Sequence, residues 1–365
     1  MPRWTATVPL LIALGCGSVS PEPEHRETEP PIEATPVREP AIEDAVEPAI
    51  EDVLETEAPR VHPGIAADDP ALAIDVLTAE GSISTSIGGP NNGSLLGGVP
   101  LPLEAPGFFS NPRRPNDTAY WGTVEAVRSI LRAASVVDRD LPGGTLFVND
   151  LGFREGGRIP HHGSHTAGRD ADILFYLLDV DGAARPGLGV PLGPDGTGTD
   201  FGDLVDPSDD VDVALDIPRT WRLVQALLED EDALVQRIFV VEHLRTLLLA
   251  HANTIGAPEA ARIRFEEVTC QPSYPHDDHL HLRFFCTDED LGLGCADGAP
   301  MYPWRRAQLR VAGVEPVRPA PVPRIRRSPA APEPAPPPMD ARVRAFLDLR
   351  ESWTSTPHPG RPYCR

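Results

Sequence analysis

Proline sets where this chain can build packed structure. Its 43 prolines are densest towards the two ends. Each one lacks a backbone donor and has a fixed φ, so a dense run sustains neither helix interiors nor central strands. Packed structure is therefore expected from about Ala71 to about Val311. Residues 16–70 read as a tether and 312–365 as a Pro- and Arg-rich tail with one short helix over Met339 to Trp353.

Charge sharpens that division. Between Gly17 and Pro70 there are 15 Asp or Glu against 3 Arg, about half of the formal net charge of -23. An acidic, aromatic-free, Pro-rich stretch buries too little apolar surface to offset its ordering entropy, which predicts a disordered tether. Inside it Glu39-Pro40-Ala41-Ile42-Glu43-Asp44 recurs as Glu47-Pro48-Ala49-Ile50-Glu51-Asp52, a duplication without visible chemistry. The acidic balance disfavours nucleic acid as a partner.

The first 15 residues read as an export signal: Arg3 supplies a positive charge, and Val8 to Leu14 is a short apolar run. That run falls well short of the ~20 residues that cross a bilayer. It ends in Ala13-Leu14-Gly15-Cys16, which resembles a bacterial lipobox with Ala13 where Leu is usual. The resemblance implies that Cys16 is acylated, making the lipid the chain's only membrane attachment. The alternative is a signal that is simply cleaved. Four cysteines then remain, Cys270, Cys286, Cys295 and Cys364, an even number in a disulfide-permissive compartment. Of their three pairings, nearness in sequence favours Cys286 with Cys295, which leaves Cys270 with Cys364; four reduced, buried thiols are the alternative.

Helical spacing marks Thr123 to Ala134, and further helices are expected over Pro218 to Leu228 and Glu242 to Ala252. Thr145 to Asp150, Asp170 to Leu177, Arg237 to Val241 and Leu280 to Phe285 read as strands, and Ser86 to Gly93 as a turn-rich loop. Strands and helices do not alternate, so the class is α+β rather than doubly wound.

Six of the 11 histidines fall into two clusters: His161, His162 and His165, followed by Asp170 and Asp172, and then His276, His279 and His281 around Asp277 and Asp278. On a strand, alternate side chains share a face, so His279 lies with His281 and Asp170 with Asp172. Imidazoles with a carboxylate suit a borderline-soft cation, and three protein ligands leave a fourth zinc position open. Asp277 and Asp278 read as solvated or supporting carboxylates. His25, His62, His243, His251 and His358 read as ordinary core or surface residues. Ser164 lacks a nucleophile elbow, and neither a phosphate-binding Gly loop nor a Cys-x-x-Cys is present.

Gly156-Gly157-Arg158-Ile159-Pro160, followed by His162-x-x-His165-x-x-Gly168-x-x-x-Asp172, resembles the first signature of penicillin-insensitive murein endopeptidases. His276-x-x-His279-x-His281, with Arg283 and Cys286 beyond it, resembles the second, and the likeness extends over roughly Ser82 to Trp304. It implies that His165, Asp172 and His281 hold one zinc ion, or one of two, and that His279 is the general base. It further implies that His276 steadies an oxyanion or shares proton transfer, and that His162 supports the site or binds an added metal. A disulfide just after the second motif fits Cys286 and Cys295.

Taken with the proline boundaries, the resemblance leads us to expect one zinc endopeptidase domain over 71–311. In it a small, mostly antiparallel sheet carries the metal, flanked by helices and long loops. Its substrate would be the peptide cross-links of peptidoglycan, most readily the D-alanyl–diaminopimelyl amide. Its place would be the periplasm, with Gly17 after the acylated Cys16 favouring the outer membrane. The rivals are a zinc D-Ala-D-Ala dipeptidase or carboxypeptidase and a catalytically silent peptidoglycan-binding lipoprotein.

Overall fold

The computed structural model describes residues 83–315 apart from 112, 113, 115 and 117, together with 338–354 and Cys364. The export signal, Cys16, the acidic tether, the Ala71 boundary, His25, His62 and His358 lie outside the described residues.

In chain order, β1 (Thr85–Ile87) and β2 (Ser94–Leu96) form a hairpin, so Ser86 and Ile87 are strand and only the middle of the predicted loop is turn. Short strands β3 (Val99–Pro100), β4 (Glu104–Ala105), β5 (Phe108–Ser110) and β6 (Trp121–Gly122) precede α1 (Val124–Asp140). Then come β7 (Leu146–Val148), β8 (Asp170–Leu174), β9 (Leu177–Asp179), β10 (Ala184–Arg185), β11 (Thr197–Asp200) and β12 (Val211–Leu215). The C-terminal half runs through α2 (Ile217–Glu229), β13 (Val235–Phe239), α3 (Glu242–Thr254), α4 (Glu259–Val268), β14 (Thr269–Cys270) and β15 (His279–Phe284). Three helices close the chain: α5 (Asp288–Gly292), α6 (Pro303–Ala312) and α7 (Ala341–Thr354).

The main sheet has the order β14-β13-β15-β8-β7-β5-β4, and only its β13·β14 and β5·β7 pairings are parallel. A second sheet, β10-β9-β12-β11, is antiparallel throughout. This is the mixed α+β arrangement that the irregular element order predicts. The predicted strand from Asp170 to Leu177 divides in two, because the chain leaves the main sheet after Leu174 and enters the second sheet at Leu177.

Helix α1 starts where Thr123 caps it, the Thr123 Oγ1 accepting from the Ala126 N–H at 3.4 Å. It buries Val127, Ile130, Leu131 and Val137 on one face and so runs one and a half turns beyond the predicted Ala134. Asp216 caps α2 in the same way, by accepting from the Arg219 N–H, and Trp221 is buried against Phe265 of α4. Along β15, Leu280, Leu282 and Phe284 point into this core, each 1 % exposed or less. The opposite face of the strand therefore carries His279, His281 and Arg283. The hydrophobic effect thus fixes which face of β15 presents the histidines, since a one-residue slip would bury them and expose the leucines.

Both cysteine pairs favoured by the sequence are joined, Cys286 to Cys295 and Cys270 to Cys364. The second holds the C-terminal segment beside β14.

Candidate metal centre

Strands β8 and β15 run antiparallel in a register that sets His281 opposite Asp172 and Arg283 opposite Asp170. Side chains directly opposite on an antiparallel pair are near neighbours. The pairing therefore delivers a carboxylate from the first cluster to an imidazole from the second. Asp172 Oδ1 lies 3.2 Å from His281 Nδ1, 3.3 Å from His165 Nε2 and 3.4 Å from His279 Nε2. The ligating atoms of His162, His165 and Asp172 lie within 4.8 Å of one another, as do those of His276, His279 and His281. Asp172 links the two groups.

His165 sits on a loop, not a strand, and its φ of 66° is in the left-handed region. His161 and His276 share that unusual backbone, at 67° and 54°. Non-glycine residues pay a steric cost there and persist only where surrounding structure holds them. For His165 the loop supplies that hold: the Gly157 N–H donates to the Thr166 carbonyl at 2.8 Å, and the Thr166 N–H to the Pro90 carbonyl at 3.2 Å. Gly156 permits the stacking, because a Cβ there would stand 2.4 Å from the Thr166 carbonyl oxygen.

The tautomers follow from the partners, since a carbonyl or carboxylate oxygen only accepts. His165 Nδ1–H donates to the Leu151 carbonyl at 2.7 Å, and His281 Nε2–H donates to Asp170 Oδ1 at 2.8 Å. The remaining nitrogens, His165 Nε2 and His281 Nδ1, are the ones that face Asp172 Oδ1. Arg283 Nε also donates to Asp170 Oδ1, at 2.7 Å. His162 repeats the pattern with Asp150 behind its Nε2 at 3.0 Å, but its Nδ1 is 3.6 Å from Asp172 Oδ2.

Among the buried atoms without a hydrogen-bond partner are His165 Nε2 and Asp172 Oδ1, and these two face each other at 3.3 Å. Leaving buried polar atoms unsatisfied costs about 1–3 kcal/mol each, so a fold that does so usually serves something that binds there. Ligand atoms about 2.0–2.1 Å from a tetrahedral zinc stand about 3.3 Å apart. The Asp172 distances to His165 and His281 match that edge, and the backing of each imidazole by a fixed acceptor is the usual support of a metal-bound histidine. The residues fit a divalent metal.

Electrostatics agree. Burial works against the Asp172 carboxylate, but His165 and His279 outweigh it and hold the group well below the usual carboxylate range. Burial also opposes charge on His279, yet Asp172 and Asp278 push it up to about 10. His276 goes the other way: burial, with His279 and His281 nearby, drives it down to about 3. His276 Nδ1–H donates to the Tyr274 carbonyl at 2.7 Å, so its Nε2 is a bare acceptor.

The structure brings His162, His165, Asp172, His276, His279 and His281 together. His161 is exposed, and Ser164, although buried, makes no contact with the cluster among the described bonds. Of the two readings of Asp277 and Asp278, support fits the contacts: Asp277 is fully buried against Arg350 of α7, and the partly exposed Asp278 accepts from His279 Nδ1 through Oδ1 at 2.7 Å. His243 is a satisfied residue of ordinary kind, its Nε2 on the Leu192 carbonyl at 2.9 Å. Sequence reasoning missed Asp150, whose only signal was a carboxylate at the end of a predicted strand, and the backbone acceptors of Leu151 and Tyr274, which leave no signal.

A sequence model described as penicillin-insensitive murein endopeptidase matches residues 86–305. A protein of that name from Klebsiella pneumoniae is 29% identical over 270 residues, covering 73% of this chain and 88% of its own. One from Pectobacterium atrosepticum is 29% identical over 281 residues, 72% of this chain and 84% of its own. One from Yersinia enterocolitica is 29% identical over 230 residues, 60% of this chain and 75% of its own.

Proposed function

This chain belongs to the penicillin-insensitive murein endopeptidase family, and on that basis we propose that it is a zinc metallopeptidase that hydrolyses the peptide cross-links of peptidoglycan. His165, Asp172 and His281 are the metal ligands in this reading, and the D-alanyl–diaminopimelyl amide is the bond cut. The observation that carries it is the unpartnered Asp172 Oδ1, with a free nitrogen of His165 and of His281 at 3.3 and 3.2 Å.

When bound, zinc supplies Lewis acidity towards the peptide carbonyl and towards water. The chain's own residues do the rest. His279 is the general base: Asp278 fixes its Nδ1–H, which leaves Nε2 to take a proton and pass it to the leaving amine. Its proton is otherwise held by Asp172, so the ring is freed as a base when that carboxylate serves as a ligand. His276 is neutral with Nε2 as an acceptor, which favours a share in proton transfer over hydrogen-bond donation to an oxyanion. His162, braced by Asp150, supports Asp172 from its other oxygen.

Cross-linked peptidoglycan lies outside the inner membrane, so the protein works after export. Acylation at Cys16, anchoring the domain at the outer membrane through the acidic tether, completes the reading. Among the described residues no helix is long and apolar enough to cross a membrane.

Purified muropeptide dimers test the proposal. Conversion to monomers by the zinc-loaded protein, abolished in His281→Ala together with stoichiometric zinc, is the expected result. Release of free alanine would favour the carboxypeptidase, and turnover retained by His281→Ala would refute the ligand set.

A further inference from the structure

Helix α7 lies beyond the 86–305 region that the family shares, yet it reaches the second histidine motif. Arg350 donates twice to Asp277, from Nε to Oδ2 at 2.8 Å and from Nη2 to Oδ1 at 2.6 Å. Asp277 is fully buried and stands between His276 and the Asp278–His279 pair. Its flanking backbone is pinned as well: the Leu192 N–H donates to the Asp277 carbonyl at 2.8 Å, and the Val241 N–H to the His276 carbonyl at 3.1 Å. His276 holds a left-handed φ of 54° in the same turn. A strained residue next to a buried carboxylate needs an outside partner, and the only cation bonded to that carboxylate among the described residues comes from the tail.

The tail is held in place at both ends. At the start of α7, Arg342 pairs with Asp210 at 3.0 Å and the Asp340 N–H donates to the Leu204 carbonyl at 2.7 Å. In its middle, Phe346 meets the Phe201 ring, and Trp353 lies against Gly193, where an added Cβ would stand 3.4 Å from the indole. At the far end the Cys270–Cys364 bridge joins the tail to β14. Such anchoring is more than a loose extension requires, and it delivers one guanidinium fork to one carboxylate.

We propose that Arg350 is a positioning residue for the reaction: through its two-point grip on Asp277, the C-terminal helix holds the turn that aims His276 and His279 at the metal centre. The proposal rests on the reading of those histidines as the proton-handling groups of the hydrolase. Guanidinium matches a carboxylate with two parallel bonds, which lysine cannot reproduce, so orientation and not charge alone is what Arg350 contributes.

The test compares the full chain with Arg350→Ala and Arg350→Lys on cross-linked muropeptide dimers, with zinc content and thermal melts measured alongside. We expect Arg350→Ala to keep its zinc and its KM and to lose about 10–100-fold in kcat, the scale seen when a partner one step behind a metal site is removed. Arg350→Lys should fall between the two. Wild-type kcat in Arg350→Ala overturns the proposal, and so does a loss that merely tracks the unfolded fraction. Should Arg350→Ala fail to fold, Arg350→Lys decides, and an unchanged kcat there overturns it. A wild type that leaves dimers intact refutes the endopeptidase reading instead. The visible spectrum of the cobalt-loaded proteins then decides on Arg350, an Arg350→Ala spectrum identical to wild type overturning the proposal.

Discussion

Asp172 and His281 stand directly opposite across the β8–β15 ladder, with Oδ1 3.2 Å from Nδ1, while the other ring nitrogen of His281 is committed to Asp170. The residues are 109 positions apart in the chain, yet a strand register set by buried leucines makes them neighbours. The same ladder sets Arg283 opposite Asp170, so the proposed ligand pair and the pair behind it come from one strand pairing. In the proposed reading the sheet thus supplies Asp172, His279 and His281, while His162, His165 and His276 come from loops.

Removing the charge from Asp172 while keeping its shape tests that arrangement directly. Asp172→Asn should weaken zinc by more than about 100-fold, beyond what loss of a supporting partner costs. Competition against a chromophoric chelator measures it. Affinity near wild type would show that Asp172 is not a ligand.

Asp170 predicts a smaller effect of a different kind. It fixes the His281 tautomer by accepting from Nε2–H and is itself held by Arg283. Asp170→Asn keeps a polar group of the same size but lets the ring turn or change tautomer, so zinc affinity should fall about 10–100-fold. Isothermal titration should find wild-type stoichiometry at this reduced affinity. An unchanged affinity would mean the hydrogen bond is incidental.

Proton bookkeeping yields a third expectation. In the metal-free protein His279, raised to about 10, is charged at neutral pH, whereas His276, lowered to about 3, is neutral. A histidine raised above its unfolded value of ~6.5 lends stability that is complete below pH 6.5 and lost as the pH climbs towards 10. His276 acts oppositely: its neutral form is favoured above pH 6.5, and stability falls as the pH drops from there towards 3. The metal-free protein should thus lose stability on both sides of about pH 6.5 through these two rings. Ring NMR resonances titrated against pH would locate both midpoints. Zinc uptake at neutral pH should also release protons, seen as buffer-dependent heats, because His165 is likewise raised by Asp172 and must be neutral to ligate. Buffer-independent heats would contradict this.

What the sequence disclosed and what it withheld separate along physical lines. Alternation along His279-Leu280-His281 was visible because a strand with one buried face must alternate, and the periodicity of α1 was visible for the matching helical reason. Register was not visible, so Asp170 appeared only as a neighbour of Asp172 and not as the partner of His281. Backbone acceptors such as the Leu151 and Tyr274 carbonyls carry no residue signature, since every residue has one. Helix α4 escaped notice because it buries only Ala261, Phe265 and Val268 among exposed charges. Arg350 sits in a tail whose composition says nothing of where it lands.

The two glycines that open the first motif separate backbone freedom from space. Gly156 and Gly157 both have a left-handed φ, 70° and 87°, so alanine strains either one by about 1–2 kcal/mol. They differ in surroundings. A Cβ at Gly156 would lie 2.4 Å from the Thr166 carbonyl oxygen and 2.7 Å from the Leu95 nitrogen, both backbone atoms that cannot swing aside, whereas a Cβ at Gly157 meets nothing within 4 Å. Gly156→Ala should therefore pay the strain plus a further ~1–3 kcal/mol of overpacking, and Gly157→Ala the strain alone. Because the Gly156 contact is with the residue after His165, the displaced loop should carry that ligand with it. Gly156→Ala should accordingly lose zinc affinity as well as stability, while Gly157→Ala loses stability only. Urea unfolding of the metal-free proteins and zinc competition resolve the two quantities. Equal losses from both substitutions would mean that the motif's first glycine is needed for its dihedral angle and not for the close approach that seats His165.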